Sequence, residues 1–277
     1  MTRLSEFVGT RSLGQIYDEG WGPAVLDPFT KDFKNYVSTG DVVLDVGCGT
    51  GLVTLYASEA AGPEGRVVGI DPTSFLLERA RSKTSAHPIE WVDASVEDMP
   101  FEEDTFDVVL CQQALQYMED PLIGMKSMTR VLKLGGTVAV SVWSPTDSQV
   151  PVRDFEDLIA QHIDPDVSTL HAFTFGGLER LTSLASEAGL KLVSAETVSH
   201  PTIYESVAAC VELVLAGAGR ALPDGTLGMG MFDLEDERYV QGVEDLIVAL
   251  EQKWASYTRS GQLVVPYFTD VIVAQKE

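Results

Sequence analysis

The chain has 277 residues, and 45% of them are hydrophobic, enough for one large domain or for one domain that carries a smaller one. It contains 42 acidic and 19 basic residues, and the resulting net charge of -23 repels phosphate backbones, so we expect no nucleic-acid partner. The same acidity is typical of proteins adapted to high salt, and both interpretations stay open.

No apolar run approaches the ~20 residues that span a bilayer, and the first residues lack the apolar stretch of a signal peptide. We therefore expect no membrane insertion and a cytoplasmic location. The cysteines Cys48, Cys111 and Cys210 are widely spaced and lack nearby histidines, which predicts reduced thiols and no metal site.

Residues 1–40 are predicted to form a helical segment that closes over a ligand. Tyr17 and Trp21 lie in this segment. Their rings either contact a cationic ligand and close its pocket or anchor the segment in the core. The sequence does not decide between these two roles.

Between residues 42 and 143, short β-branched runs alternate with helix-like segments, which is the pattern of a parallel sheet. The runs predict five strands, listed here in chain order: Val42–Val46, Arg66–Ile70, Ile89–Asp93, Phe106–Cys111 and Thr137–Trp143. Thr73 or Ser74 is expected to cap the helix after the second strand, and Gly135-Gly136 to form the turn before the fifth. Several strands are too continuously apolar for a sheet with one solvent-exposed face, so helices should cover both faces.

Further helices are predicted at Arg153–Ile163 and Leu178–Ala188, a sixth strand at Lys191–His200 and a last strand at Gly261–Gln275. The stretch 201–260 is predicted to be an insertion between the sixth strand and the last strand. Its apolar positions from Tyr239 to Tyr257 recur every three or four residues and predict an amphipathic helix that packs on its own domain or on another subunit. The glycine- and methionine-rich stretch Gly217–Phe232 shows no period and predicts a mobile loop.

The sequence LDVGCGTG, residues 44–51, places a strand directly before a glycine turn and a helix start. Such a turn lets a ligand approach the backbone. The dinucleotide fingerprint G-x-G-x-x-G would need glycine where Leu52 stands, which disfavours an NAD-dependent oxidoreductase. Asp71 ends the second strand, where its carboxylate can accept hydrogen bonds from ribose hydroxyls, and Asp93 ends the third, where it can accept from an adenine amino group.

Together with LDVGCGTG, the segments GIDPTSFLLERAR, WVDASVEDMPFEEDTFDVVLCQQALQYM and RVLKLGGTVAVSVW resemble successive motifs of the class I S-adenosylmethionine-dependent methyltransferases. The likeness covers roughly residues 40 to 145, and the branch that it resembles most is that of the ubiquinone and menaquinone C-methyltransferases. It implies an α/β fold with a Rossmann-like, seven-stranded, mostly parallel sheet, an antiparallel last strand, flanking helices and a helical cap between strands six and seven. The Rossmann-like domain would take in 41–200 and 261–277, and the cap 201–260.

The resemblance also implies S-adenosylmethionine as methyl donor, S-adenosylhomocysteine as product and a small-molecule acceptor. By that likeness, Gly47, Cys48 and Gly49 contact the methionine part of the donor, Asp71 and Pro72 the ribose, and Asp93 and Ala94 the adenine. Gln112 would lie beside the sulfonium.

The candidate acceptor-site residues, besides Tyr17 and Trp21, are Gln113, Gln116 and Trp143. No histidine is a persuasive general base, so the catalytic residue is unknown and an acceptor that is already nucleophilic is favoured. Three alternatives stay open: a non-methylating enzyme such as a cyclase, an NAD-dependent oxidoreductase and a noncatalytic binding module. We expect a monomer or a weak homodimer.

Overall fold

The computed structural model describes residues 13–163, 167–168, 170–217, 219–221, 227–229 and 237–277. The chain folds as two compact units. The sheet unit consists of Leu26–Pro145, Ala172–Val198 and Phe268–Glu277. The helix unit consists of the residues up to Val25 with Thr146–His171 and Ser199–Tyr267. The domain boundaries given above stay a prediction.

Helices and strands alternate through most of the chain. The helices are α1 (Leu13–Ile16), α2 (Asp27–Phe33), α3 (Leu52–Ala61), α4 (Ser74–Arg81), α5 (Pro121–Val131), α6 (Val150–His162), α7 (Gly177–Glu187), α8 (Val207–Gly217) and α9 (Glu237–Lys253). The strands are β1 (Val42–Val46), β2 (Arg66–Asp71), β3 (Ile89–Asp93), β4 (Phe106–Gln112), β5 (Leu132–Trp143), β6 (Val167–Ser168), β7 (Leu190–Tyr204), β8 (Gly219–Ala221), β9 (Leu227–Met229), β10 (Thr258–Arg259) and β11 (Gln262–Lys276). A π-helix, Tyr17–Leu26, joins α1 to α2.

The main sheet has the strand order β3-β2-β1-β4-β5-β11, and β7 pairs with β11 on its other side. Strands β1 to β5 run parallel, and β11 is antiparallel to β5 from Thr269 to Gln275. The seven-stranded sheet with an antiparallel last strand is thus confirmed. The two-residue strand β10, which was not predicted, pairs with the beginning of β11.

The core of the sheet unit lies on both faces of this sheet. Successive residues of β1 belong to different clusters, since Leu44 packs with Val109 and Val140 on one face and Val43 with Leu110 and Ala139 on the other. All of these side chains are buried. Because both faces of the sheet are buried, the strand sequences are continuous apolar runs.

Strands β1 and β3 have the predicted bounds, whereas β5 begins five residues earlier than expected. The expected turn at Gly135-Gly136 is wrong, because both glycines lie within β5 and the helix before them ends at Val131. The pairing of β4 with β5 is irregular between Phe106 and Val108, opposite this part of the strand. Gly135 has a φ of 77°, a conformation that glycine adopts without strain.

Neither Thr73 nor Ser74 caps α4 with its hydroxyl, so that prediction is also wrong. The Ser74 hydroxyl donates instead to Asp93 Oδ2 at 2.9 Å. The Thr73 backbone N–H donates to Asp71 Oδ1 at 2.8 Å. The start of α4 is therefore bound to the ends of β2 and β3 through two aspartates.

In the helix unit, α6 and α8 both pack against α9. The α9 stripe is confirmed at Leu246, Leu250 and Trp254, which are fully buried, and the Trp254 indole N–H donates to Asp154 Oδ2 at 3.1 Å. The side chain of Tyr239 lies outside the described residues.

The stretch Gly217–Phe232 is not wholly a loop, since β8 and β9 form an antiparallel pair within it and β6 pairs with β8. Its lack of periodicity gave no sign of strands this short, because three residues cannot show an alternating pattern. The rest of this stretch, and residues 1–12, lie outside the described residues. Among the described helices, none is long and apolar enough to cross a membrane.

Candidate functional site

A glycine turn connects β1 to α3 at the carboxyl edge of the sheet. The N–H groups of Gly47 and Cys48 both donate to the carbonyl of Ile70, at 2.8 and 3.0 Å. The N–H of Gly49 donates to Asp71 Oδ2 at 2.9 Å. These bonds fix the turn to the end of β2, so what it offers a ligand is carbonyl oxygens and free space. Carbonyl oxygens are suitable acceptors for an ammonium group.

The three glycines of the turn all have positive φ but meet different surroundings. A Cβ on Gly47 would lie 2.2 Å from the Ala114 Cβ, and one on Gly51 would lie 2.4 Å from Trp91 Cη2. A Cβ on Gly49 would meet nothing within 4 Å. The fold itself therefore requires Gly47 and Gly51, whereas Gly49 borders open space that a ligand can fill.

Two carboxylates lie side by side at the ends of neighbouring strands, since Asp71 on β2 is in register with Asp93 on β3. Asp71 is buried and each of its oxygens accepts one backbone N–H bond. A carboxylate oxygen has a second lone pair, so Asp71 can also accept from ribose hydroxyls. Asp93 is exposed. Pro72 and Ala94 directly follow the two aspartates along the chain.

A third carboxyl group, Asp45, lies beneath the turn and is only 1% exposed. Its Oδ2 accepts from the Thr54 hydroxyl at 2.5 Å. Burial raises the pKa of Asp45 to about 7, with a smaller contribution from the nearby Asp71, while the hydrogen bonds from Thr54 oppose the shift. Burial, together with Asp45 and Asp71, also raises the pKa of the Cys48 thiol well above its ordinary value. Cys48 is therefore not an activated nucleophile.

Gln112, at the end of β4, is held by Thr30 of α2. The Thr30 hydroxyl lies 2.8 Å from both the Leu26 carbonyl and Gln112 Oε1, but it has one hydrogen to donate. When the hydroxyl bonds to Leu26, as helix interiors commonly allow, a turned Gln112 amide can donate to it. In either orientation one end of the amide is left without a partner among the described residues.

The next residue, Gln113, has a φ of 53°, which is uncommon for a residue other than glycine. Its Oε1 accepts from Gln116 Nε2 at 3.1 Å, with Gln116 in a 3₁₀ turn rather than at the expected helix start. Gln113 Nε2 and Gln116 Oε1 are buried and find no partner among the described residues. Strained backbone and unpaired polar atoms both concentrate at functional sites.

Trp143 ends β5 as expected and is buried between two phenylalanines, with ring centroids 5.7 Å from Phe29 and 5.6 Å from Phe173. Tyr17 and Trp21, half-buried, lie in the helix unit, where a Cβ on the intervening Gly20 would be 2.2 Å from Leu213 of α8. Their predicted role at the ligand site stays a prediction.

Sequence reasoning missed several residues that shape this edge of the sheet. Three of them, Thr30, Trp91 and Ala114, contact residues far along the chain, and their local sequence gives no signal of it. The fourth, Thr54, bonds to Asp45 across the glycine turn, nine residues away. Among the described residues, no three His, Cys, Asp or Glu side chains are grouped to hold a metal ion.

Comparison with known proteins agrees with this geometry. A family model described as "Methyltransferase domain" matches residues 44–140. The demethylmenaquinone methyltransferase of Staphylococcus aureus is 35% identical over 169 residues, which are 55% of this chain and 69% of that protein. The chain belongs to the class I S-adenosylmethionine-dependent methyltransferases. It is accordingly an enzyme, and S-adenosylmethionine is its cofactor.

Two further proteins are similar to this methyltransferase. A biotin biosynthesis bifunctional protein of Teredinibacter turnerae is 29% identical over 214 residues, which cover 73% of this chain but only 36% of that protein. The structure of the [4+2]-cyclase SpnF is 18% identical, with a TM-score of 0.56 over 91% of this chain and 81% of that one. The second likeness shows the fold alone, so the methyltransferase assignment is the better supported one.

The edge residues fit S-adenosylmethionine. The Asp71 carboxylate can accept from ribose hydroxyls, the space at Gly49 can admit a ligand beside the backbone, and the Gln112 amide has one end free for a polar contact. The individual assignments of Gly47, Cys48, Gly49, Asp71, Pro72, Asp93, Ala94 and Gln112 to parts of the donor stay predictions.

Proposed function

We propose that this methyltransferase transfers the methyl group of S-adenosylmethionine to a carbon, oxygen or nitrogen atom of a small-molecule acceptor by in-line displacement. The observation that carries the proposal is the bond from the Gly49 N–H to the Asp71 carboxylate beside open space. This arrangement holds a ribose acceptor and a ligand-accessible backbone next to each other. We also propose that the chain acts as a monomer or a weak homodimer.

S-adenosylmethionine supplies a methyl carbon on a sulfonium, so that a lone pair of the acceptor forms the new bond as the C–S electron pair returns to sulfur. Asp71 and Asp93 would bind the nucleoside, and the glycine turn would hold the methionine part. Gln113, Gln116 and Trp143 would orient the acceptor and exclude water. Alignment of this kind can supply most of the rate enhancement in a displacement reaction.

Neither Asp45 nor Cys48 is a convincing general base, since Asp45 lies beneath the turn, 1% exposed and bonded to Thr54, and burial holds the pKa of the Cys48 thiol well above its ordinary value. The acceptor would therefore be a nucleophile that needs little help to lose its proton, such as an activated carbon, an amine or a phenolate. A proton released on methylation would pass to solvent.

Calorimetric titration with S-adenosylmethionine and S-adenosylhomocysteine tests the donor site. We expect saturable binding by the wild type and at least a tenfold loss in Asp71→Ala, because that change removes both the ribose acceptor and the anchor of Gly49. Glu90→Ala is the matched control, since it removes a carboxylate from the neighbouring strand that only forms an exposed ion pair with Arg66. Equal affinities of the wild type and Asp71→Ala would contradict the proposal.

A further inference from the structure

Four polar side chains at the carboxyl edge of the sheet lack the hydrogen bonds that their burial requires. We call Gln113, Gln116, Ser141 and Thr269 the amide–hydroxyl cluster. Gln113 Nε2, Gln116 Oε1, Ser141 Oγ and Thr269 Oγ1 are each buried and unpartnered among the described residues. Ser141 is 1% exposed and Thr269 is not exposed at all. Buried polar atoms are normally satisfied, so a group of unsatisfied ones needs an explanation.

The members of the cluster are neighbours in the fold. The Gln113 N–H donates to the Ser141 carbonyl at 2.9 Å, and Gln113 is bonded to Gln116. Thr269 lies opposite Trp143 in the antiparallel pair of β11 with β5. Because Ser141 and Trp143 are two residues apart on β5, they point to the same face, and Ser141 is the diagonal neighbour of Thr269.

The side chains of the cluster are uncharged, and together they can both donate and accept hydrogen bonds. Gln113 Nε2 can only donate, Gln116 Oε1 can only accept, and the two hydroxyls can do either. A carboxylate or ammonium bound by these four side chains would lose its hydration without gaining a counter-charge from them, which is more costly than binding a neutral group.

We propose that the amide–hydroxyl cluster binds an uncharged hydroxyl group of the acceptor and makes this methyltransferase select neutral hydroxylated acceptors over ones that carry a carboxylate or an ammonium group. A hydroxyl both donates and accepts, so it can donate to Gln116 Oε1 or accept from Gln113 Nε2, neither of which has a partner among the described residues. Trp143, opposite Thr269 and in contact with Phe29 and Phe173, adds an apolar aromatic surface beside the hydroxyls. The inference deepens the proposed function and rests on it.

The unpaired hydroxyls allow a ligand-binding role of the cluster to be distinguished from a structural role, because the two predict different effects on Tm. A buried hydroxyl that bonds within the protein stabilises the fold, whereas an unpaired one destabilises it. Ser141→Ala and Thr269→Val should therefore leave Tm unchanged or raise it, while they weaken acceptor binding. Thr129→Val, which removes a hydroxyl that lies outside the cluster and bonds to the Met125 carbonyl, should leave acceptor binding unchanged.

The test is calorimetric titration of the full chain with 2-naphthol, 2-naphthoic acid and 2-naphthylmethylamine at pH 7, with and without saturating S-adenosylhomocysteine. We expect 2-naphthol to bind at least tenfold more tightly than either charged probe. Gln116→Met, Ser141→Ala and Thr269→Val should each weaken 2-naphthol binding about fivefold or more and leave the Kd for S-adenosylhomocysteine unchanged within twofold. Gln241→Met, which removes an exposed amide of α9, is the amide control.

Tighter binding of a charged probe, undetectable binding of 2-naphthol, or unaltered binding of 2-naphthol by the cluster variants would each overturn the inference. Failure of S-adenosylhomocysteine to bind would count against the proposed function instead. The titrations without S-adenosylhomocysteine still measure the selectivity of the cluster in that case, so the two failures are distinguishable.

Discussion

Asp45 illustrates how the fold alters a single ionisable group. It is the only residue of β1 with a charged side chain, yet it is as buried as the valines beside it. The Thr54 hydroxyl is the one described side chain that donates to it. The backbone N–H of Thr54 also bonds to it. Two neutral donors do not compensate a buried carboxylate, so the folded chain favours the protonated form.

This burial predicts that Asp45 makes folding pH-dependent. Its pKa rises from 3.8 to about 7 on folding, so between these values the folded chain holds a proton that the unfolded chain has released. The contribution of Asp45 to the free energy of unfolding therefore falls as pH rises from about 4 to about 7 and is constant above that. Asp45→Asn should abolish this slope. Urea unfolding of both proteins from pH 4.5 to 8 measures it, and parallel curves would contradict the assignment.

The glycine turn yields a prediction that separates ligand binding from folding. Gly49→Ala should cost about 1–2 kcal/mol of stability for its left-handed backbone and should reduce the affinity for S-adenosylhomocysteine at least tenfold, because its Cβ would occupy the open space. Gly51→Ala should cost roughly 2–5 kcal/mol, since its Cβ also collides with Trp91. Urea unfolding and calorimetry measure the two effects. Normal binding by a folded Gly49→Ala protein would exclude that space as part of the donor site.

At the scale of elements, α9 shows which part of the molecule covers the apolar stripe that the sequence predicts. The sequence left open whether the stripe packs on its own chain or on another subunit. In the structure the stripe is buried by elements of the helix unit itself, with α6 and α8 against it. Its burial therefore needs no second subunit.

Leu250→Ala should lower the free energy of unfolding by about 2–5 kcal/mol, because the Leu250 side chain is fully buried and a cavity would remain. Val248→Ala on the same helix is the matched control, since Val248 is 53% exposed and should change stability by less than about 0.5 kcal/mol. Urea unfolding measures both variants. A loss as large for Val248→Ala would mean that this face is also covered, for instance by a second copy of the chain.

The elements also show which parts of the fold the sequence determines locally. Strands β1 and β3 were predictable because apolar runs end at glycine or aspartate, and the site aspartates were predictable because they stand at those ends. The beginning of β5 was not predictable, since Gly135 and Gly136 have no side chains and so add nothing to the apolar pattern that indicates a strand. The Gln112 contact with Thr30 joins residues 82 positions apart, and no local pattern encodes such a pair.

The same limit applies to the amide–hydroxyl cluster. Gln113 and Gln116 stood out because they follow a strand at the expected edge of the sheet. Ser141 and Thr269 are single hydroxyls within apolar strands, and only the pairing of β11 with β5 brings them together. Whether a buried hydroxyl is satisfied depends on neighbours that the fold alone supplies.

At the scale of the whole molecule, the formal charge of -23 opposes folding, because like charges are brought closer together in the compact state. Ion pairs relieve only part of this repulsion, since described pairs such as Arg66 with Glu90 and Lys191 with Glu277 are exposed. Exposed pairs contribute little stability. Salt should therefore act on the chain mainly by screening repulsion.

The salt dependence of Tm distinguishes the two interpretations of this charge. Screening acts over a Debye length of about 10 Å at 0.1 M and about 3 Å at 1 M salt, so its effect is largely complete at a few tenths molar. We expect Tm to rise by a few degrees up to about 0.3 M KCl and then to level off. The variant E64Q/E103Q/E205Q/E244Q, which neutralises four exposed carboxylates, should start at a higher Tm and respond less. A Tm that keeps rising through 2 M KCl in both proteins would instead indicate adaptation to high salt, because screening cannot account for it.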